Sequence, residues 1–395
     1  MTAATCLSVA TKLLDGAAAA ADLAGRMSLH RPRCVFAYCT VGVDAGAFIA
    51  ALTRAMPGAR IIGATTCQQA ASDAGAGDTA MALALNGDGF RVGVASGADA
   101  SSARALGARL AREALRDAGF DAAAARFVVL HVTPGLEEGV LAGIRDVMGS
   151  NVPLIGGSAA DDDITGKWSC LGGGTALTAG ASLLVCDWPW KLSMTFQSGY
   201  RATDKRGVVT AADQRRIISI DGRPAADVYD EWTKRTLPIG ESILASTALT
   251  PLGAVRGTAA GLELHVLVHP EHIDPDRSIH CFAAVDVGET LVLMESTISS
   301  LTRRSTAVTN FALTQAQIGV DDVLGELVIY CAGCSLALGG NVGQMVTGLQ
   351  RHIGAPFVMP FTFGEQGCIT RGRVDHGNLM CSALLLTTID VDTPG

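Results

Sequence analysis

Along the chain, nearly continuous apolar runs alternate with amphipathic runs of helical period, and the alternation recurs. RCVFAYCTVG from Arg33 reads as a buried strand because its apolar residues are almost unbroken. An amphipathic helix follows over Ala45–Met56, then a short strand, ARIIG, ending at Gly63. ATTCQQAASDAGAGD reads as a polar loop. TAMALALNGDGFRVGVASG reads as two strands joined at an Asn86–Gly89 hairpin signal. The same order starts again at Arg126, with the strand RFVVLHVTPG, a helix over Leu136–Met148 and PLIGG reaching Gly156–Gly157. The loop SAADDD and the strands TALTAGASLLVC and KLSMTFQSGY complete this second copy. The two starts lie 126 − 33 = 93 residues apart, and Gly63 plus 93 falls on Gly156.

A fainter third copy spans 326–389: the strand ELVIYCAGC, the helix NVGQMVTGLQRHIG, PFVMPFTFGEQG, and the returning strand NLMCSALLLTT. Between the second and third copies, RRIISIDGRPAADVYDEW reads as a strand, a turn at Asp221–Gly222 and a helix begun by Pro224. LELHVLVHP and SIHCFAAVDVGETLVLMES read as strands of an antiparallel sheet, and Ser300–Gln317 as a helix. The stretch from Thr2 to Arg26 reads as an alanine-rich surface helix. A strand-helix-strand-loop-strand-strand unit cannot bury both sheet faces alone, but stacked copies can. The expected fold is therefore α/β, with two domains of mixed β-sheets covered by helices. An N-terminal helix would occupy 1–30, the first domain 31–203 and the second 204–395, with the boundary near Tyr200–Val208.

Composition narrows the function classes. Of 395 residues, 49% are apolar and 17% charged, which excludes disorder, and no apolar run approaches the ~18 residues of a membrane helix. Thirty Lys+Arg against 38 Asp+Glu give a net charge of −8, without the basic footprint that nucleic-acid binding needs. The N-terminus lacks the basic start of a secretory signal. The 11 cysteines are an odd number set largely in apolar strands, as expected of reduced thiols in a cytoplasmic protein.

In α/β folds, ligands sit beyond the carboxyl ends of strands. The loops to inspect are Cys39–Gly42, Thr133–Gly135 and Cys331–Gly340 after first strands, and Ala64–Gln68, Ser158–Asp163 and Glu365–Cys368 after second strands. Cys331-Ala-Gly-Cys334 has no second close cysteine pair for structural zinc, and Ser335–Gly340 reads as a glycine-rich loop rather than the helix start that redox chemistry wants. Cys331 remains open as a nucleophile or ligand contact. Glu365, in a Gly-Glu-Gln-Gly turn, together with Asp375, His376 and Asn378, would surround a polar ligand or orient that nucleophile. His265 and His269, four apart in a strand, stand about 13 Å from each other, too far to share an ion. HPEHIDPDRS, holding His269 and His272 ahead of His280, reads as a polar loop, and no metal site is expected. Asp161–Asp163 reads as an acidic surface loop.

IIGATTCQQA and PLIGGSAADDD, with VVTAADQRRIISIDGRPAADVYDEW and YCAGCSLALGG…FTFGEQG…VDHGN, resemble the FIST family of paired FIST N and FIST C domains. The resemblance runs from about Arg33 to Thr388, and ISIDGRPA followed by Tyr229 is its most specific part. It implies an intracellular bacterial sensory module for small ligands, amino acids among them, working with histidine kinases, chemotaxis receptors or cyclic-dinucleotide enzymes. The two FIST halves and the N-terminal helix use up the 395 residues, so signalling through a separate partner is expected. Many members carry Cys-x-x-Arg after the strand; this chain has Cys334 there. The expected ligand contacts are Cys67, Ser158, Asp161, Cys331, Cys334, Glu365, His376 and Asn378. The alternatives are an enzyme with Cys331 as nucleophile and His376 and Glu365 as base and orienter, or a haem-binding nitric oxide sensor using His131, His352 or His376.

Overall fold

Three stretches of chain build the same elements in the same order. In the computed structural model, which describes residues 4–73, 75–98, 101–259, 261–370 and 372–391, the first stretch is β1 (Thr5–Thr11), α1 (Gly16–Met27), β2 (Cys34–Thr40), α2 (Ala45–Ala55), β3 (Arg60–Thr66), the hairpin β4 (Gln68–Ala71) and β5 (Gly75–Ala76), and β6 (Ala80–Asn86). The second is β7 (Val92–Gly97), α3 (Ala103–Ala118), β8 (Phe127–Val132), α4 (Glu137–Met148), β9 (Leu154–Ser158), β10 (Cys170–Gly172) with β11 (Thr175–Leu177), and β12 (Ala181–Cys186).

The third stretch opens with β13 (Trp190–Gln197) and is then interrupted by an insert. The insert holds β14 (Arg201–Asp213), β15 (Arg216–Ile220), β16 (Arg223–Pro224), α5 (Ala225–Thr233), α6 (Leu244–Thr247), β17 (Leu252–Ala259), β18 (Leu262–Val268), β19 (Pro270–Ile273), β20 (Ile279–Cys281) and β21 (Thr290–Glu295). The unit resumes with α7 (Ile298–Ala316), β22 (Val323–Cys331), α8 (Ala332–Leu338), α9 (Val342–Ile353), β23 (Phe357–Thr362), β24 (Glu365–Thr370) with β25 (Arg373–Gly377), and β26 (Cys381–Asp390).

Each stretch contributes to a six-stranded sheet, and the sheets share one strand order: β1-β6-β2-β3-β10-β11, β7-β12-β8-β9-β24-β25 and β13-β26-β22-β23-β4-β5. The last two strands of every sheet are a borrowed hairpin. The first unit's hairpin pairs with the third unit's β23, the third's with β9, and the second's with β3. This cyclic exchange ties the three units together. The insert forms a fourth, antiparallel sheet, β18-β17-β21-β14-β15-β20-β19, with β16 on β15 and α5 packed into its own core.

Strand alternation explains the layers. Phe36 and Tyr38, Phe127 and Val129, and Leu327 and Ile329 point from the three sheets into one shared core. The residues between them face outward, Val35 and Ala37 under α1 and α2, Val128 and Leu130 under α3 and α4, and Val328 and Tyr330 under α7 and α9. Buried on both faces, these strands read as continuous apolar runs. The outer helices pack closely: a Cβ at Gly143 of α4 would sit 1.9 Å from the Arg104 carbonyl oxygen of α3. Side chains of Asp15, Asp44, Ser102 and Thr297 cap α1, α2, α3 and α7.

Several expectations change. Thr5–Thr11 is a strand along β6, so the N-terminal helix is only α1. The Asn86–Gly89 turn makes no hairpin: β6 and β7 enter different sheets, as do β12 and β13. A tight turn reverses the chain, but pairing is decided by which core each strand's apolar face meets. Glu365 and His376 lie on the paired strands β24 and β25, not in turns. Residues 332–338 are helix α8, not loop, with Cys331 at its N-cap. HPEHIDPDRS is mostly the β19–β20 hairpin.

Candidate functional site

The loops leaving the carboxyl ends of β3, β9 and β22 converge under one edge of the insert. They enclose a cavity of about 520 Å³. Cys67 and Gln68 come from the first unit, Asp161–Ile164 from the second, and Cys331, Ala332, Gly333, Ser335 and Leu336 from the third. Phe363 and Asn378 close it from the third unit's hairpin, and Leu244, His269 and Phe282 from the insert.

The floor holds one open hydrogen-bond donor. Asn378 is 1% exposed; its Oδ1 accepts the His269 backbone N–H at 3.3 Å, while its Nδ2 is buried without a partner. A buried amide hydrogen left unbonded costs about 1–3 kcal/mol, so a ligand acceptor placed there gains that much. His269 shares the wall. Its Nε2 faces the Leu244 carbonyl at 3.1 Å, which fixes the proton on that nitrogen. Burial holds its pKa down at about 4, so the ring is neutral at physiological pH. Cys331 Sγ accepts the Leu379 N–H at 3.1 Å, and burial pushes its thiol well above the usual range. Burial likewise raises the Cys67 thiol to about 12.

Asp161 lines the cavity but is not free. Its carboxylate accepts the backbone N–H groups of Ile164, Thr165, Gly166 and Lys167, at 2.6–3.1 Å, and so shapes the loop. Neighbouring Asp163 bonds Thr165 and Lys167. Asp162, exposed at the rim, has no hydrogen-bond or ion-pair partner among the described residues.

Behind the floor lies a buried cation. Arg304 of α7 is 2% exposed, donates to the Ser198, Leu379 and Met380 carbonyls at 2.7–3.2 Å, and stacks on Tyr330 at 4.4 Å. Cys334 lies beside it. Burial opposes the thiolate there, but hydrogen bonding from Cys331 and the Arg304 charge outweigh it and lower the pKa to about 6. The Tyr200 hydroxyl, 3.6 Å from Cys334 Sγ, donates to the Ala248 carbonyl at 2.7 Å. Glu365, also fully buried, accepts Thr362 Oγ1 at 2.9 Å and the Met380 N–H at 3.0 Å. Cys334 and Glu365 therefore support the floor rather than line it.

Ser158 and His376 belong to a different cluster. Ser158 Oγ donates to Glu137 Oε1 at 2.7 Å and accepts from Gln366 Nε2 at 3.0 Å. His376 Nδ1 lies 3.0 Å from Glu138 Oε1. Arg215 of the insert reaches both glutamates at 2.6 Å, and Glu138 also accepts the Ala284 N–H. Burial works against the Glu138 charge, yet His376 and Arg215 hold its carboxyl below the usual range. No hydrogen bond joins His376 to Cys331, so the nucleophile–base pair expected from sequence is not assembled.

Among the described residues, two groups bring metal-type ligands together. Glu137, Glu138 and His376 do so around Arg215, which already neutralises the carboxylates. His272, Asp274 and His280 do so on the insert hairpin, where the rings stack at 4.4 Å and Asp274 Oδ2 takes both His280 Nε2 and Arg216 Nε. His131 spends both ring nitrogens, on Tyr38 Oη at 3.0 Å and the Gly157 carbonyl at 2.9 Å, and so does not fit haem. His376 Nδ1 is held by Glu138, while its Nε2, like that of His352, is buried without a hydrogen bond among the described residues; none of the three histidines lines the cavity.

Sequence reasoning missed Arg304, Tyr200, Glu137, Glu138 and Arg215. Arg304 left a signal, since it lies on the same helix face as Leu301, Ser305 and Val308, where an arginine must be buried.

The FIST N domain matches residues 33–223 and the FIST C domain residues 225–368, in tandem. The chain belongs to the FIST family. FIST domains are sensory domains associated with signal transduction. The cavity draws on both halves: Cys67, Gln68 and Asp161–Ile164 fall in FIST N, while Leu244, His269, Phe282, Cys331 and Phe363 fall in FIST C. No curated protein matches the chain. Among solved structures it is similar to a cyanuric acid hydrolase from A. caulinodans, at 10% identity over 98% of this chain and 99% of that one, with a TM-score of 0.40. A second cyanuric acid hydrolase structure matches at 10% identity over 75% and 100%, with a TM-score of 0.28. T. maritima PurL matches at 10% identity over 97% and 71%, with a TM-score of 0.21. These likenesses carry no information on chemistry. Among the described residues, no helix is long and apolar enough to cross a membrane.

Proposed function

We propose that this FIST protein is a cytoplasmic small-molecule sensor whose ligand binds in the cavity between its two halves. The occupied state would signal to a separate partner, such as a histidine kinase or a cyclic-dinucleotide enzyme. The observation that carries the reading is the Asn378 Nδ2 donor, buried on the cavity floor without a partner. Among the buried unpaired side-chain atoms of the described residues, it is the one that lines the cavity, so a ligand acceptor there would complete its bonding. The sensory character of FIST domains supports it, and so does the shared lining, because a ligand touching both halves couples them.

The enzyme reading with Cys331, His376 and Glu365 has less support, since Cys331 lacks a base and its thiol is held protonated. The cavity reading is tested by screening a fragment library for compounds that raise the melting temperature, then repeating the hits on Asn378→Ala and His376→Gln. Hits lost in the first variant and kept in the second are expected. Hits kept in Asn378→Ala and lost in His376→Gln would move the ligand to the Glu137–His376 cluster.

A further inference from the structure

The charged side chains among the described lining residues are Asp161, Asp162 and Asp163. Asp162 stands unpaired at the rim and Asp163 keeps only the exposed Lys167 as a counter-charge. Among the described residues, no lysine or arginine lines the cavity. The cation behind the floor, Arg304, gives its terminal N–H groups to three backbone carbonyls, stacks on the Tyr330 ring and does not line the cavity. His269, the remaining basic group on the wall, gives its Nε2–H to Leu244 and stays neutral. A ligand carboxylate would enter such a site past Asp162 and Asp163, with no lysine or arginine among the described lining residues to offset their repulsion. A ligand ammonium would be met at the rim.

The rest of the lining sets the other features. Phe282 and Phe363 stand in the walls with Ile164, Leu244 and Leu336, which suits an apolar or aromatic body. Asn378 Nδ2 on the floor asks for an acceptor.

We infer that the ligand is a small organic cation, with an amine at the acidic rim, an apolar or aromatic middle between the phenylalanines and an oxygen acceptor bonded to Asn378. This rests on the cavity reading above and adds the charge class of what fills it.

Tyramine has all three parts and serves as the probe. Its comparison compounds, isosteric with each other and longer by a carbonyl, are the acid 3-(4-hydroxyphenyl)propionate and the neutral 3-(4-hydroxyphenyl)propionamide. By isothermal titration calorimetry on the full chain, tyramine should bind at least about tenfold more tightly than the acid, because the charge at the rim changes sign. Asp162→Asn should weaken tyramine by about threefold to tenfold and leave the amide unchanged. Asn378→Ala should weaken tyramine and the amide alike. Asp162 is exposed, so its variant folds and keeps the test interpretable. Acid or amide binding that matches or exceeds tyramine, and is lost in Asn378→Ala, overturns the charge assignment while the cavity reading stands. Tyramine binding untouched by Asp162→Asn also overturns the assignment. No binding by any of the three overturns the charge assignment, while the cavity reading stands or falls by the fragment screen.

Discussion

Two places in this fold gather polar side chains from all parts of the chain, and they differ in what those side chains have left to give. Around Glu137, Glu138 and His376 the acids are spoken for: Arg215 and the Ala284 N–H from the insert, and Ser158 from β9, reach them. That cluster braces the insert against the second sheet. In the cavity, the same economy stops short at Asn378 Nδ2 on the floor and Asp162 at the rim. The acids of the first cluster are neutralised, although His376 Nε2 and Gln366 Oε1 are buried there without a hydrogen bond among the described residues; the Asn378 amide differs in lining a cavity, where a ligand can reach it. Carboxylates and a histidine drawn close together are therefore a poor guide to function here; the unpaired amide is a better one.

The largest effect that separates the two regions is on stability. Arg215→Ala leaves two glutamates facing each other in a largely buried site, and should cost about 3 kcal/mol or more in urea unfolding. Asn378→Ala should cost about 1 kcal/mol, since its one bond is a long 3.3 Å contact. Equal losses would erase the distinction. Acid unfolding comes next. His131 and His269 are each held at about 4 by burial, below the unfolded value near 6.5. Between these values the unfolded chain takes up protons that the folded chain refuses. Stability is thus full above pH 6.5 and falls by about 3 kcal/mol per histidine as the pH drops toward 4. Replacing either ring, as His131→Gln or His269→Gln, should remove about half of that slope; an unchanged slope would show the ring titrates normally. Ser158→Ala removes a donor to Glu137 and should cost about 1–2 kcal/mol without altering tyramine affinity. A tyramine loss there would join the two regions into one site. Smallest of all, Leu336→Ser on the exposed face of α8 should leave unfolding within about 0.5 kcal/mol of wild type while weakening tyramine by a few fold.

Much of the fold was legible in the sequence because apolar runs buried on both faces leave a continuous signature. Phe36, Phe127 and Leu327 sit in three such runs, and Gly63 and Gly156, 93 residues apart, lie on β3 and β9. What stayed hidden was pairing. The hairpin of Gln68–Ala76 joins β23, nearly 290 residues away, and nothing local encodes that destination. Strand β1 was masked by the alanines of α1 that follow it. The site was half legible: Cys67, Asp161, Cys331 and Asn378 line the cavity, while Cys334 and Glu365 lie behind it and Ser158 and His376 elsewhere. Sequence marks which residues end strands with polar atoms. Which of those atoms are already bonded depends on distant partners such as Arg215, Arg304 and the Leu244 carbonyl.

The chain has five asparagines, so a protein labelled with ¹⁵N in asparagine gives five side-chain amide pairs, and the Asn378 pair is the one missing from Asn378→Ala. Titrating tyramine into the labelled protein addresses the cavity directly. The account predicts that the Asn378 pair shifts progressively downfield to saturation as Nδ2 gains an acceptor, while those of Asn86, Asn151 and Asn310 stay in place. An Asn378 pair that does not move while tyramine raises the melting temperature would contradict it.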